Sequence, residues 1–171
     1  MTSFDGSRLS LKDALDLAIL IEDEARERYE EFTRLLTRHR TLDAAGFFRF
    51  MADTETRHGD ELRARRRKLF GDAPCAVAPT RLEGSEAPER GEARATMTAR
   101  EALEVALRAE QRAQGFFRSA LRHIHNGRVR TLFLELRDEE VHHEELVRRE
   151  LARLPLEREP GQTSLVGEPG S

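Results

Sequence analysis

ALDLAILIEDEARERY, residues 14–29, is repeated in pattern by ALEVALRAEQRAQGFF, residues 102–117. Both stretches place apolar residues three and four positions apart, which is typical of the buried stripe of an amphipathic helix. One carboxylate interrupts each stripe, Glu22 in the first and Glu110 in the second. The chain therefore contains two related helices, each with a single glutamate on its inner face.

A second pair of matching segments follows these two helices. Glu55-x-x-His58 and Glu140-x-x-His143 both place a carboxylate and an imidazole three residues apart. On a helix this spacing puts the two side chains on one face, about one turn apart, where both can reach one metal ion. Each half of the chain thus has one helix with a single inward glutamate and one helix with a Glu-x-x-His pair. Together the two halves supply four carboxylates and two imidazoles, which is a ligand set for a two-metal site inside a four-helix bundle.

The apolar spacing predicts four helices. Thr98-x-x-Glu101 is a capping-box pattern that marks one helix start, and Asn126-Gly127 is a favourable helix stop. Short joints within each half predict two antiparallel hairpins, and a long Pro- and Gly-containing connection between the halves is typical of a ferritin-like bundle. We therefore expect an all-α fold with an N-terminal arm at 1–9, a bundle at 10–154 (helices at about 10–38, 41–70, 98–125 and 128–154, crossover 71–97) and a disordered tail at 155–171.

Composition excludes several classes of function. The chain has 171 residues, enough for one domain with a real core, and its net charge of −3 gives no general attraction to nucleic acid or anionic membranes. The sequence shows neither an apolar run of membrane-spanning length nor a signal peptide, so we expect a cytoplasmic protein. Cys75 is the single cysteine, which excludes an internal disulfide and a four-cysteine metal module in this chain.

Position, rather than residue type, selects the candidate ligands, because the chain has 32 acidic residues. On the fourth helix two overlapping pairs compete, Glu140 with His143 and Glu139 with His142. The first pair lies on a stripe that is otherwise apolar and matches the internal repeat, so we favour it and keep the second as the alternative. The candidate metal ligands are Glu22, Glu55, His58, Glu110, Glu140 and His143.

Four buried carboxylates need a compensating charge, because an ionised carboxylate is very unfavourable in an apolar interior. No Lys or Arg shares the apolar stripes at the level of the four glutamates. Two divalent cations would balance the four negative charges. Carboxylate oxygens mixed with imidazole suit iron or manganese, with zinc as a possible substitute.

Three segments resemble the helix signatures of the rubrerythrin family in the ferritin-like superfamily: residues 22–29 (EDEARERY), 52–58 (ADTETRH) and 138–143 (DEEVHH). The resemblance implies a non-haem centre of two iron ions bridged by Glu55 and Glu140. The other four candidates would then be terminal ligands. It also implies that the hydroxyl of Tyr29 hydrogen-bonds a ligand carboxylate and orients it.

Two departures from the family pattern affect the expected activity. Rubrerythrins usually carry an extra glutamate three residues after the third-helix ligand, and Ala113 occupies that position here. The family's rubredoxin module is also missing from this chain. Catalytic turnover would therefore need electrons from a separate donor protein or from Fe(II) itself.

Three functions are consistent with these residues. The first is a di-iron oxidoreductase that reduces hydrogen peroxide or dioxygen and protects against oxidative stress. The second is a ferroxidase that oxidises iron for storage, and the third is a non-enzymatic iron-binding module. We expect a homodimer or a higher homo-oligomer, with neither nucleic acid nor membrane as a partner.

Overall fold

The computed structural model describes residues 8–75 and 97–154. This part of the chain forms four helices and no strands: α1 Leu11–Arg38, α2 Leu42–Phe70, α3 Ala99–Ala120 and α4 Gly127–Arg153. Helix α1 packs along α2, α3 packs along α4, and α1 also contacts α4. The expected all-α, ferritin-like four-helix bundle is thereby confirmed.

Three predicted segments fall wholly or mainly outside the described residues. They are the N-terminal arm at 1–9, most of the crossover at 71–97 and the tail at 155–171. The domain boundaries therefore stay predictions. None of the described helices combines the length and the apolar character that a membrane crossing requires.

Side-chain caps explain where three of the helices begin. The Ser10 hydroxyl accepts a hydrogen bond from the backbone N–H of Asp13, which starts α1. Thr98 and Glu101 form a complete capping box before α3, as the sequence predicts. Each cap satisfies backbone N–H groups that have no partner inside the helix, and this fixes the end of the helix.

The junction between α3 and α4 differs from the prediction. Helix α3 ends at Ala120 rather than near residue 125, and Arg122 and His123 continue in tight turns by donating to carbonyls three residues back. Asn126 does not end α3. Its side chain accepts hydrogen bonds from the first N–H groups of α4, and Gly127 is the first residue of that helix. The Asn-Gly pair is a helix start because the amide caps the next helix and the glycine has no positive φ.

Two separate apolar cores occupy the two ends of the bundle. The first core joins the beginnings of α1 and α4 to the end of α3 and includes Leu15 and Phe133. The second core joins the end of α1 to the beginnings of α2 and α3 and includes Phe32 and Phe48. One buried glutamate of each helix lies between the two cores, where the helix passes from one core to the other: Glu22, Glu55, Glu110 and Glu140. We call this level the acid layer.

A buried ion pair fixes the chain where it leaves α2. Asp16 is buried and accepts hydrogen bonds from Arg66 and from Lys12. Burial opposes ionisation of Asp16, but these two cations outweigh it and lower the pKa of the carboxyl. Arg66 also donates to the carbonyl of Ala73 at 2.6 Å, and Lys12 to that of Pro74 at 2.7 Å. The first residues of the crossover are therefore tied to α1.

The two glycines at helix ends should respond oppositely to alanine. Gly127→Ala should stabilise the fold by roughly 0.5 kcal/mol, because the position is helical and an added Cβ meets nothing within 4 Å. Gly71→Ala should destabilise it by about 1 kcal/mol, because Gly71 ends α2 with a φ of 56°. Urea unfolding measures both changes. Destabilisation by Gly127→Ala would contradict the assignment of Gly127 to the start of α4.

Candidate metal centre

The acid layer brings together the six candidate ligands. Each of the four helices supplies one inward glutamate, and α2 and α4 each add a histidine one turn further along. The four glutamates are between 2% and 7% exposed, and His143 is 2% exposed, whereas His58 is half-buried. The six residues are Glu22, Glu55, His58, Glu110, Glu140 and His143.

The side chains of the layer form three overlapping groups that share their histidines. Within each group one ligand atom of every residue lies within 4.8 Å of the others. Such spacing allows one ion to contact all three side chains after small adjustments, since metal–ligand distances are about 2.0–2.2 Å. The groups are Glu55, His58 and His143; Glu110, Glu140 and His143; and Glu22, His58 and Glu139.

The two imidazoles lie face to face at the centre of the layer. Their ring centroids are 5.4 Å apart and the ring planes differ by 8°. The Nδ1 atom of His143 lies 3.2 Å from Glu55 Oε1 and 3.7 Å from Glu110 Oε2. The Nδ1 atom of His58 lies 3.7 Å from Glu55 Oε2 and 3.9 Å from Glu22 Oε2. The carboxylates thus surround both rings.

Although carboxylate oxygens lie close to both rings, three buried ring nitrogens lack a hydrogen-bond partner within the described residues. They are Nδ1 of His58 and both ring nitrogens of His143. Buried polar atoms are normally satisfied, so an exception needs an explanation. Imidazole nitrogens with nearby carboxylates and no hydrogen bond are what a metal site requires, because the metal is the missing partner. The residues present therefore fit a bound divalent metal.

The carboxylates of the layer share protons in the metal-free protein. Burial and the negative charge of Glu55 raise the pKa of Glu22 well above its usual range. Burial and the negative charge of Glu110 do the same to Glu140. Burial opposes ionisation of Glu110 as well, but the proximity of His143 and Glu140 outweighs it and lowers the pKa of Glu110. These shifts favour the neutral forms of Glu22 and Glu140 over a neutral Glu110.

The two histidines differ in charge. Burial by itself lowers the pKa of His143, but the neighbouring Glu110 and Glu55 carboxylates outweigh it and raise the pKa to about 9. Burial also lowers the pKa of His58, and there the charge of His143 adds to the lowering. At neutral pH the metal-free site holds a protonated His143 beside a neutral His58. Both must offer a free nitrogen to a metal, so metal binding releases a proton from His143.

Arg28 is a cation that the sequence analysis missed. The absence of Lys and Arg from the apolar stripes suggested that no cation lies at this level. In the structure Arg28 is half-buried, and its charge acts on Glu110, Glu140 and Glu55. Burial lowers the pKa of Arg28, while these carboxylates raise it. Arg28 lies beside the apolar stripe of α1, and its long side chain brings the guanidinium close to the glutamates of the acid layer.

The fourth helix combines parts of both candidate pairs. Glu140 and His143 are buried in the acid layer, whereas His142 is exposed. Glu139 is only partly buried, yet its carboxylate lies with Glu22 and His58 in the third group. Two adjacent glutamates can both approach the layer because the helix turns by about 100° per residue and long side chains cover that difference. The two overlapping Glu-x-x-His pairs in the sequence are the signal for this arrangement.

Tyr29 lies in the second core, fully buried. Its ring stacks on Phe48, with the ring centroids 5.8 Å apart. Its hydroxyl has no hydrogen-bond partner within the described residues, so the expected bond to a ligand carboxylate is not formed in this structure. The stacking on Phe48 sets the position of the Tyr29 ring and leaves its hydroxyl as a further buried polar group without a hydrogen bond among the described residues.

Comparisons with known proteins agree with this geometry. The rubrerythrin family model matches residues 13–95, which include all of α2 and all but the first two residues of α1. The crystal structure of an uncharacterised conserved protein from Magnetospirillum magnetotacticum MS-1 is 30% identical and has a TM-score of 0.72. That match covers 86% of this chain and 97% of the other chain. No curated protein matches at a significant level.

The four-helix bundle with a buried layer of glutamates and histidines defines a ferritin-like protein. Within that superfamily, the matched family model names the group, and the solved relative shares the fold over 86% of this chain. The chain belongs to the rubrerythrin family.

The metal-free protein should lose stability between pH 7 and pH 9. The pKa of His143 is about 9 when folded against 6.5 as a free side chain, so its proton stabilises the folded state fully below pH 6.5. That contribution disappears as the pH rises through 9, a loss of about 2 kcal/mol over this window. The raised pKa values of Glu22 and Glu140 act in the same direction.

Thermal melts in the presence of a chelator measure this loss. The exposed His125 provides the control: His125→Asn should keep the full decline, and His143→Asn should make it shallower. A wild-type melting temperature that is constant or rises over this range would contradict the proposed protonation of His143.

Proposed function

We propose that this protein binds two iron ions in the acid layer and works as an oxidoreductase that reduces hydrogen peroxide or dioxygen. The observation that carries the proposal is the state of His143. Both of its ring nitrogens are buried without a hydrogen-bond partner in the described part of the chain, and carboxylates surround them. A metal ion gives one of these nitrogens the partner that it lacks, and the other nitrogen keeps a proton for a neighbouring carboxylate to accept.

The donor set supports iron as the resident metal. Carboxylate oxygens and imidazole nitrogens suit iron or manganese, and zinc can occupy the same ligands. Two iron ions, when bound, together supply the two electrons that cleavage of an O–O bond needs. The four buried glutamates balance the four positive charges of two divalent ions.

The chain's own residues control access and protonation. The two apolar cores exclude water from above and below the layer. Glu110, Glu140 and His143 form its fully buried side, whereas His58 and Glu139 are partly exposed. A small oxidant such as hydrogen peroxide therefore approaches past His58. Helices hold the ligands in fixed positions, so the layer needs little rearrangement to accept a metal.

Ferroxidase activity is the second candidate. Ala113 stands where rubrerythrins usually have an additional glutamate, and α3 therefore supplies one carboxylate to the layer rather than two. A site with fewer ligands and one side open to solvent suits iron that passes through after oxidation. In that case Fe(II) is the substrate as well as the source of electrons.

The proposal also includes the partners and the setting. One cysteine in the sequence leaves no four-cysteine electron-transfer site in this chain, so turnover with peroxide uses a separate electron-donor protein. We place the protein in the cytoplasm, as a homodimer or a higher homo-oligomer, in protection against oxidative damage.

Removal of a central glutamate should abolish metal uptake without unfolding the protein. Glu55→Ala and Glu140→Ala each delete a buried carboxylate that lies in a candidate ligand group with His143, so binding of two Fe(II) per chain should be lost. The metal-free form of Glu140→Ala should be no less stable than wild type, because a buried carboxylate is costly without metal. The metal-free form of Glu55→Ala should stay folded, although it loses a carboxylate that stabilises the protonated His143. Anaerobic Fe(II) titration and chelator-treated melts test both statements.

Glu145→Ala is the matched control for these variants, because Glu145 is exposed on α4 and pairs with Arg149. It should bind two Fe(II) as wild type does. Tight binding of two iron ions by both Glu55→Ala and Glu140→Ala would contradict the proposal.

The two oxidants should react at different rates. Protein loaded anaerobically with two Fe(II) per chain is mixed with equal concentrations of hydrogen peroxide or dioxygen, and near-ultraviolet absorbance follows oxidation. We expect hydrogen peroxide to react at least tenfold faster. Faster reaction with dioxygen that continues with excess Fe(II) would support the ferroxidase instead. Absence of a reaction with both oxidants would exclude a redox di-iron function.

A further inference from the structure

One group of the acid layer reaches towards solvent and includes a residue outside the six candidate ligands. Glu22, His58 and Glu139 each have a ligand atom within 4.8 Å of the others. Glu22 is 4% exposed, whereas His58 and Glu139 are half-buried. The group therefore connects the buried layer to the surface between α1, α2 and α4.

The three groups share residues and form a continuous series across the bundle. His58 belongs to the outer group and to the central one, and His143 belongs to the central group and to the inner one. The inner group, Glu110, Glu140 and His143, is buried throughout. Glu139 is the solvent-side end of this series.

Glu139 also differs from the other acidic residues around it on α4. Glu135 pairs with Arg65 at 2.8 Å, Asp138 with Arg137 at 2.6 Å, and Glu144 with Arg148 at 2.6 Å. Within the described residues Glu139 has no such arginine or lysine partner. The side chains that share its group are Glu22 and His58, and Nδ1 of His58 is buried without a hydrogen-bond partner among the described residues.

The charges at this level are consistent with a fifth carboxylate. Arg28 contributes one positive charge that acts on the glutamates of the layer. Glu139 adds one negative charge, so the two offset each other. Four negative charges then still face two divalent ions.

We propose that Glu139 is a seventh metal ligand, which completes an outer metal position with Glu22 and His58 at the solvent side of the acid layer. This inference rests on the proposed metal-binding function. The outer position takes a divalent cation with mixed oxygen and nitrogen preference. Glu139 gives α4 a second carboxylate at the layer, whereas α3, with Ala113, offers one.

Cobalt titration of the metal-free full-length chain tests this assignment without any activity measurement. Visible absorbance of Co²⁺ reports its coordination, and wild type should take up two ions per chain. Glu139→Gln keeps the shape of the side chain but replaces the charged carboxylate by a neutral amide, which is a weaker metal ligand. It should weaken binding of one ion at least tenfold and leave the other unchanged.

Two further variants separate ligation from charge and from folding. Asp138→Asn makes the same charge change at the adjacent exposed position and should bind both ions as wild type does. Glu139→Asp keeps the charge but withdraws the carboxylate by one methylene, so it should also lose affinity for one ion. Circular dichroism should show all three variants folded, because these positions are at least partly exposed.

The outcomes are distinguishable. Wild-type affinity for both ions in Glu139→Gln would overturn the assignment while the two-metal site stands. Weakening in Glu139→Gln with wild-type binding in Glu139→Asp would show an effect of charge alone, which also overturns ligation. Failure of the wild-type chain to bind Co²⁺ would remove the proposed function and the outer position together.

Discussion

The structure depends on the burial of four glutamate carboxylates in one layer of a helical bundle. Charged carboxylates are unfavourable in an apolar interior, so the metal-free protein reduces the cost in two ways. The raised pKa values of Glu22 and Glu140 favour their neutral forms, and the charges of His143 and Arg28 lie among the remaining carboxylates. A divalent metal bound in the layer would replace protons, so its binding and their release would be one event.

Helical phase was sufficient to predict most of the layer. Glu22 and Glu110 interrupt otherwise apolar stripes, and such a stripe faces the inside of a bundle wherever its helix packs. The repeat added the Glu-x-x-His pairs on α2 and α4. The structure brings these six side chains together between the two cores. The family matched by α1 and α2 agrees with the resemblance that these motifs suggested.

Side-chain reach and local caps were not predictable in the same way. Arg28 and Glu139 lie beside their stripes rather than on them, and only their length brings their charges to the layer. A pattern that records positions along a helix contains no information on how far a side chain extends. Asn126-Gly127 was similarly ambiguous, because asparagine often caps the start of a helix whereas glycine often follows its end. In the structure α3 has already ended in the turns after Ala120, so this pair starts α4.

The separation of the two apolar cores has a consequence for how this sequence can vary. The first core and the second core have no residue in common, and the polar layer keeps their side chains apart. Free-energy effects of substitutions add when sites are distant and share no contacts. Changes around Leu15 and changes around Phe48 are therefore independent of each other. Each end of the bundle can drift in sequence on its own, and only the layer between them is held constant by its chemistry.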